Sequence, residues 1–535
     1  MEPILRVLTA AALVIGLSFV APTALLAEDD TETAEEQQTD LSEERLLEAA
    51  SEITEQVVKI RGLQLKSSIP KGVKDRDQLR DMLVERFHDE VSEEQFQAEA
   101  DVYRRLGLMD EGIDYKEMML DLLTEQIAGF YDQHAGELYI MKGLPEALQR
   151  STMAHELFHA IQDQHFDIVR LLEPFDPQEN ADYSLARMAL IEGDATVLMF
   201  DYELYDQGHL PQAREESFID IPRIAAAVLE LDPMQMAAVE QLDQPDAMDL
   251  GGSTVPSLTD SALGTAPRIV RDTLLFPYIE GMRFVVRARS GRTWKEFDRV
   301  YDQPPVSTSQ ILHPEQYFDG VSPVDITYSA DEALPDHRKV YDTVFGELKT
   351  RSWLATHLGE QSGELPEVAE ISEGWRGDRL HGYSDGDGSM IVTYLSSWDS
   401  EDDAQTFARA LDRTLRQRHD SSSAHRVGDH GESWCHRPGN SSDGQRHYIE
   451  RWGEVVLYIE GVPSQLDARG HETDPTTYRL RDNIWDSHRR VPFDEVVDQR
   501  IKEVDDDSES SSQSDESASI PPAPPCDDGD IAARR

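Results

Sequence analysis

Met153-Ala-His-Glu-Leu-Phe-His-Ala-Ile-Gln-Asp-Gln-His165 is the stretch that decides how the rest of the chain is read. It carries His155-Glu156-Leu157-Phe158-His159 inside a run with helical texture. Residues four apart lie on one helix face, so His155 and His159 can hold one metal ion together. Glu156 then stands where it can reach a metal-bound water. Asp163 follows one turn after His159 and is placed to orient that ring as a second-layer partner. In a chain with 17 histidines among 535 residues, such a pattern arises by chance in roughly one case in twenty. Its neighbours must decide.

On the N-terminal side, Ile127-Ala-Gly-Phe-Tyr131 and Glu137-Leu-Tyr-Ile-Met141 are short, aromatic and β-branched, with turn composition between them. They predict a hairpin leading into the helix. A sheet edge beside such a helix offers extended peptide a strand to pair with. On the C-terminal side, Asn180 to Tyr202 reads as a strongly apolar helix carrying Ile191-Glu-Gly-Asp-Ala195. A carboxylate on an apolar helix needs a partner, because burying it alone is costly. A metal is one such partner and an arginine, Arg187, the other. Glu192 is the expected third ligand. Asp194, two residues on, cannot face the same ion and is expected in the layer behind it, bonded to His155.

Together, Glu125-Gln-Ile-Ala-Gly-Phe-Tyr-Asp132, His155 to His165 and Glu192-Gly-Asp-Ala195 resemble the glutamate-zincin metallopeptidases over residues 110–320. The resemblance implies Zn²⁺ held by His155, His159 and Glu192, with Glu156 as general base and a peptide or protein as substrate. It also implies a distant Tyr or His that stabilises the developing oxyanion, for which Tyr278 and His313 are the candidates. Glu192-Gly-Asp-Ala stands where thermolysin-like members carry N-E-x-x-S-D. The metzincin pattern H-E-x-x-H-x-x-G-x-x-H is not met, since Gln162 stands where it needs glycine and no Gly-x-x-His follows.

Around this block the chain reads as α+β. Helices are expected from Ser42 to Ile60, Asp77 to His88, Ser92 to Leu106 and Tyr115 to Gln126. Residues 205–265 are loop-rich and acidic, with one helical piece at Ile221–Leu231, and suit a lid. Thr273 to Val285 reads as a buried helix. The domain divisions expected are a helix-rich zincin-like domain at 41–358 with its small sheet beside the metal helix, a linker at 359–367, and a smaller α+β domain at 368–502. Asp385-Gly-Asp-Gly388 reads as a hairpin turn rather than a calcium loop. His419, His425, His430, His436 and His447 lack a helical ligand spacing and read as loop residues.

Composition bounds the setting. There are 105 acidic against 50 basic residues, a net charge of −55. Of the basic residues only 10 are lysine. Such a surface stays hydrated in concentrated salt and repels nucleic acid. Two cysteines, Cys435 and Cys526, imply neither a disulfide framework nor a thiolate metal site. Ile4 to Ala27 is apolar with the single charge Arg6, and Glu28-Asp-Asp follows. It reads as a secretory signal cleaved after Ala27 (residues 1–27) or as an uncleaved membrane anchor. An acidic linker at 28–40 and an acidic tail at 503–535 complete the chain. The expectation is an exported zinc metallopeptidase, secreted or at the cell surface in a high-salt environment. The alternative is a non-catalytic surface binding or structural protein that keeps the fold.

Overall fold

Leu46, Ala50, Ile53 and Val57 recur at helical spacing, and helix α1 (Glu43–Arg61) buries all four. Ser42 caps its N-terminus with its side chain, and Gly62 ends it at a φ of 80°, a left-handed conformation that costs glycine nothing. The computed structural model describes residues 42–126, 129–143, 146–206, 208, 262–359, 366–419, 422–427, 431–437, 445–463 and 476–502. The apolar segment 4–27, the acidic linker 28–40, the Ile221–Leu231 helix and most of the expected lid lie outside the described residues. So do most of 359–367, His430 and the tail 503–535.

After α1 comes strand β1 (Lys71–Lys74), a helix at Arg76–Glu90, and α2 (Glu93–Arg105), whose start is fixed by a reciprocal Ser92–Gln95 capping box. A helix at Tyr115–Gln126 leads into β2 (Gly129–Asp132) and β3 (Glu137–Met141), which pair as the expected antiparallel hairpin. β1 joins β3 in parallel, so the sheet order is β1-β3-β2 and β2 is an edge. The long helices α3 (Glu146–Phe166), α4 (Ala181–Asp206) and α5 (Arg268–Arg289) then build the centre of the molecule. α3 turns Ala154, Leu157, Phe158 and Ile161 towards α1 and the hairpin, in one core with Ile53, Val57, Leu138 and Ile140. α4 joins the same core through Ala195, Leu198 and Tyr202.

The remainder is organised by a seven-stranded antiparallel sheet. β4 (Val324–Thr327) precedes it, and its edge strand is β5 (Arg338–Thr343). Next come α6 (Gly346–Leu358), β6 (Trp375–Ser384), β7 (Met390–Trp398) and α7 (Glu401–His419). β8 (Ser422–Val427), β9 (Gly431–Arg437), β10 (Gln445–Trp452) and β11 (Val455–Pro463) complete it in the order β5-β6-β7-β11-β10-β9-β8. α8 (Thr476–Ser487) and β12 (Arg489–Pro492), which pairs with β4, follow, and a helix over 493–502 ends the described chain. The strands obey the two-residue period. Val392, Tyr394, Val456 and Tyr458 face α7 with Phe407 and Leu411, whereas Ile391, Leu395, Leu457 and Ile459 face α8 with Leu480 and Ile484. Both faces are covered, which is why β7 is buried along its whole length. The Asp385–Gly388 run is a turn: Asp385 accepts from the amides of Asp387 and Ser389, and Gly386 and Gly388 take positive φ.

The architecture is α+β, and one expected boundary is corrected. The segment 359–367 does not divide two cores. β5, which precedes it, is a strand of the large sheet. α6 packs Trp353 edge-on against Tyr394 and Tyr458 of that sheet, in one apolar cluster with α4 and α5. One apolar core holds residues from both sides of this segment. No helix among the described residues is long and apolar enough to cross a membrane.

Candidate metal centre

α3 presents His155 and His159 one above the other towards α4, where Glu192 meets them. Nε2 of His159 lies 3.0 Å from Nε2 of His155. Oε2 of Glu192 lies 3.2 Å from His155 Nε2 and 3.4 Å from His159 Nε2. All three side chains are buried. Arg187, the other partner considered for Glu192, instead stacks its guanidinium 4.6 Å over the Tyr183 ring. Donor atoms around a tetrahedral zinc with bonds of ~2.0–2.1 Å stand about 3.3 Å apart. The observed separations bracket that value, and two imidazoles with a carboxylate are a donor set zinc accepts. The residues fit the ion.

Glu156 lies next to this group. Its Oε2 accepts the backbone amide of Tyr131 on β2 at 2.9 Å, and its Oε1 is buried with no hydrogen-bond partner among the described residues. Burial pushes the Glu156 carboxyl well above its ordinary range. Burial also pulls His155 down. For His159 burial acts the same way, but the Glu192 carboxylate outweighs it and raises the imidazole to about 9. Burial opposes ionisation of Glu192 too, and the two histidines overcome it, holding that carboxyl down at about 2. Without a metal, then, the cluster holds its charge as a His159–Glu192 ion pair.

The layer behind the ligands departs from expectation in three places. Asp163 does not orient His159. It accepts the Tyr131 hydroxyl at 2.8 Å and the Ile168 amide at 3.1 Å, tying the hairpin to the end of α3. Gln162 orients His159 instead. Its Nε2 donates to the Ile191 carbonyl and to the Tyr301 hydroxyl, so its Oε1 is the atom left to accept from His159 Nδ1 at 2.8 Å. That puts the proton of the neutral ring on Nδ1 and leaves Nε2 bare for a metal. Asp194 does not bond His155. Two residues from Glu192, it points the other way, accepting Arg61 of α1 at 3.0 Å and the Tyr301 hydroxyl at 2.8 Å. Arg61, fully buried, also reaches Asp298 at 2.7 Å and lies 4.1 Å over the Trp294 ring. A chain of polar contacts thus runs His159–Gln162–Tyr301–Asp194–Arg61. His313 is the third correction. It pairs with Glu347 of α6 at 2.8 Å, away from the His155 group.

Tyr278 is on α5 with its ring 6.4 Å from that of His155 and within 29° of parallel. Its closeness has a backbone cause. α4 and α5 cross at Gly193 and Gly281, where a Cβ on Gly193 would stand 2.2 Å from the Gly281 carbonyl carbon and one on Gly281 2.1 Å from the Ala189 carbonyl oxygen. Only glycine permits that approach. Sequence reasoning passed over Gly193, Gln162, Tyr301 and Arg61. A glycine in the middle of a 26-residue helix, at a cost of about 1 kcal/mol against alanine, was a signal for the first. The others carry none, since what fixes their roles lies far along the chain: Ile191 and Tyr301 for Gln162, Asp194 for Tyr301 and Arg61.

Residues 334–471 match the model of a family described as "Domain of unknown function (DUF8575)". That span holds β5 to β11, and the His155 group is outside it. No curated protein matches the chain, and no solved structure does.

Proposed function

We propose that this chain is an exported zinc metallopeptidase of zincin-like fold. The observation that carries the reading is the convergence of His155, His159 and Glu192 within zinc-bonding separations of one another, with the buried carboxylate of Glu156 one residue from the first ligand. When bound, zinc supplies a positive charge that acidifies water and polarises a peptide carbonyl. His155, His159 and Glu192 hold it. Glu156 takes a proton from the attacking water and delivers it to the departing amine. Beside a bound cation, Glu156 would be held ionised against burial and ready to act as a base. Gln162 keeps the His159 ring turned with Nε2 inward. Tyr278, beside His155, is placed to stabilise charge that develops on the carbonyl oxygen.

β2 lies at the edge of its sheet against α3, and its outward Tyr131 amide holds the Glu156 carboxylate in place beside the ligands. The leader-like segment 4–27 and the net charge of −55 support an exported protein working in concentrated salt.

The test is metal analysis joined to proteolysis. Purified in high-salt buffer, the wild type should carry stoichiometric zinc at the His155 site, and Glu156→Gln should keep that zinc while losing ~10²–10⁴-fold in casein cleavage. A wild type with no zinc at this site, or a Glu156→Gln variant that cleaves like wild type, removes the proposal and leaves a non-catalytic surface protein.

A further inference from the structure

A second pair of histidines with a glutamate lies in the C-terminal sheet, independent of the His155 site and of the peptidase reading. His419 is the last residue of α7, His447 is on β10 and Glu460 on β11. Their donor atoms all lie within 4.8 Å of one another. Nε2 of His419 is 3.0 Å from Glu460 Oε1, and Nδ1 of His447 is 4.0 Å from the same oxygen. The two rings stack with centroids 4.0 Å apart and planes at 21°, so the partly exposed His419 ring must turn out of the stack for both rings to aim a nitrogen at one ion. We propose that His419, His447 and Glu460 form a second zinc site, structural in role, that clasps the end of α7 to β10 and β11.

Four features support a built site. First, the Glu460 carboxylate is divided between two tasks. Its Oε2 accepts Arg418 Nη1 at 3.0 Å and also the Tyr458 hydroxyl, which presents Oε1 to the two imidazoles. Donors that fix the far oxygen of a ligating carboxylate are how metal sites orient their ligands. Second, the strand pairing is broken here. The β10–β11 register shifts between Arg446 and Tyr448, and Gly461, next to Glu460, takes a φ of 89°. Bulges of this kind re-aim side chains beside functional sites. Third, access is graded. The side chains of Glu460 and His447 are 0% and 1% exposed, whereas that of His419 is 14% exposed. A cation can enter past His419 and take its remaining ligand from solvent. Fourth, the donor set selects the ion. Two imidazoles with one carboxylate suit zinc, while calcium and magnesium prefer all-oxygen shells.

The role follows from what surrounds the group. No carboxylate comparable to Glu156 stands beside it among the described residues, and the adjacent polar groups, Arg418 and Tyr458, are engaged by Glu460. Arg418 also donates to the Arg105 carbonyl at the end of α2, and its side chain covers Gly107. A metal at this point therefore fastens α7 to the sheet and, through Arg418, to the helical half of the molecule.

The experiment counts zinc in the full chain after equilibrium dialysis. A His155→Ala/His159→Ala variant removes the first site and should retain one zinc per chain. Adding His419→Ala, or His447→Phe, which keeps an aromatic ring in the stack, should abolish it. Cobalt loaded into the His155→Ala/His159→Ala protein should give the visible absorption of nitrogen–oxygen coordination, lost in the same two variants. Circular dichroism identifies any variant that has failed to fold, and His419, at a helix end and partly exposed, is the change least able to unfold the chain. The proposal is overturned if the folded His155→Ala/His159→Ala protein binds no zinc. It is equally overturned if His419→Ala and His447→Phe leave its zinc in place, which would make the group an ion pair beside a stacked ring. A wild type that holds a single zinc, lost with His419→Ala, would support this site and refute the other.

Discussion

Among the described residues two histidines meet a glutamate twice, and the two groups differ in what surrounds them. His155, His159 and Glu192 come from two long helices packed in the centre of the protein, and all three are buried. His419, His447 and Glu460 come from a helix end and two strands, with one side open towards solvent. The first group has an uncommitted carboxylate oxygen next to it on Glu156. The second has Arg418 and Tyr458 engaged with Glu460. Donor chemistry makes both candidates for zinc, but among the described residues only the first has an unbonded carboxylate oxygen beside it. A ligand set predicts an ion, and its surroundings decide whether that ion does chemistry.

The sharpest difference is the buried polar chain behind the first group, so breaking it should have the largest effect. Asp194→Ala takes from Arg61 its closest fully buried partner. An arginine stranded in that way costs about 3–5 kcal/mol. Asp298, 22% exposed, remains in reach and places the expected loss at the lower end. Chemical denaturation of the metal-free protein measures it. A loss below about 1 kcal/mol, the range of an exposed ion pair, would mean that Arg61 and Asp194 do not behave as a buried pair.

A smaller effect is expected one link nearer the ligands. Gln162→Leu keeps the shape of the helix face and removes the acceptor for His159 Nδ1. Loss of such an orienting partner lowers metal affinity by roughly 10–100-fold. Competition against a chromophoric chelator should report this for the first site with the second unaltered. Asp163→Leu is the control, because Asp163 serves Tyr131 and Ile168 rather than His159. If Asp163→Leu weakens zinc as much as Gln162→Leu does, the assignment of roles in this layer is wrong.

What the sequence made legible follows the same divide. His155, Glu156 and His159 are visible because one helix supplies them at a spacing fixed by its pitch. Glu192 is visible because a carboxylate amid apolar residues requires a partner. The hairpin and most helices announce themselves through local period and caps. Gln162 and Asp163 are both within reach of His159 by helical spacing, and what separates them lies across the interface: Ile191 and Tyr301 on one side, Tyr131 on the other. Nothing local encodes that. The second group depends on three elements meeting at a strand bulge, so its histidines read as loop residues until the sheet is seen. The 359–367 segment misled in the opposite way, since its composition is that of a linker while Trp353 before it and Tyr394 after it share one core.

The finest test of the comparison is pH. In the metal-free protein His159 keeps its proton up to about 9, because the Glu192 carboxylate more than offsets burial. Zinc needs the ring neutral, so below that pH each ion bound must displace a proton. Affinity at the first site should therefore rise about tenfold per pH unit on the way up to 9 and then level off. The measurement belongs in the Glu156→Gln background, which takes away the second proton that burial holds there. Stability runs the other way. A histidine whose folded value lies above its ordinary 6.5 contributes stability that is complete below 6.5 and is lost as pH rises through 9. The metal-free protein should melt progressively lower across that interval. Glu192→Gln weakens the effect: without that carboxylate, burial is opposed only by Glu156 and the Gln162 hydrogen bond, so the titration of His159 falls from about 9 and the stability loss up to that pH should shrink. If the loss persists undiminished in Glu192→Gln, the charge on His159 comes from some other partner, and the ion pair at the heart of the first site is not what holds it together.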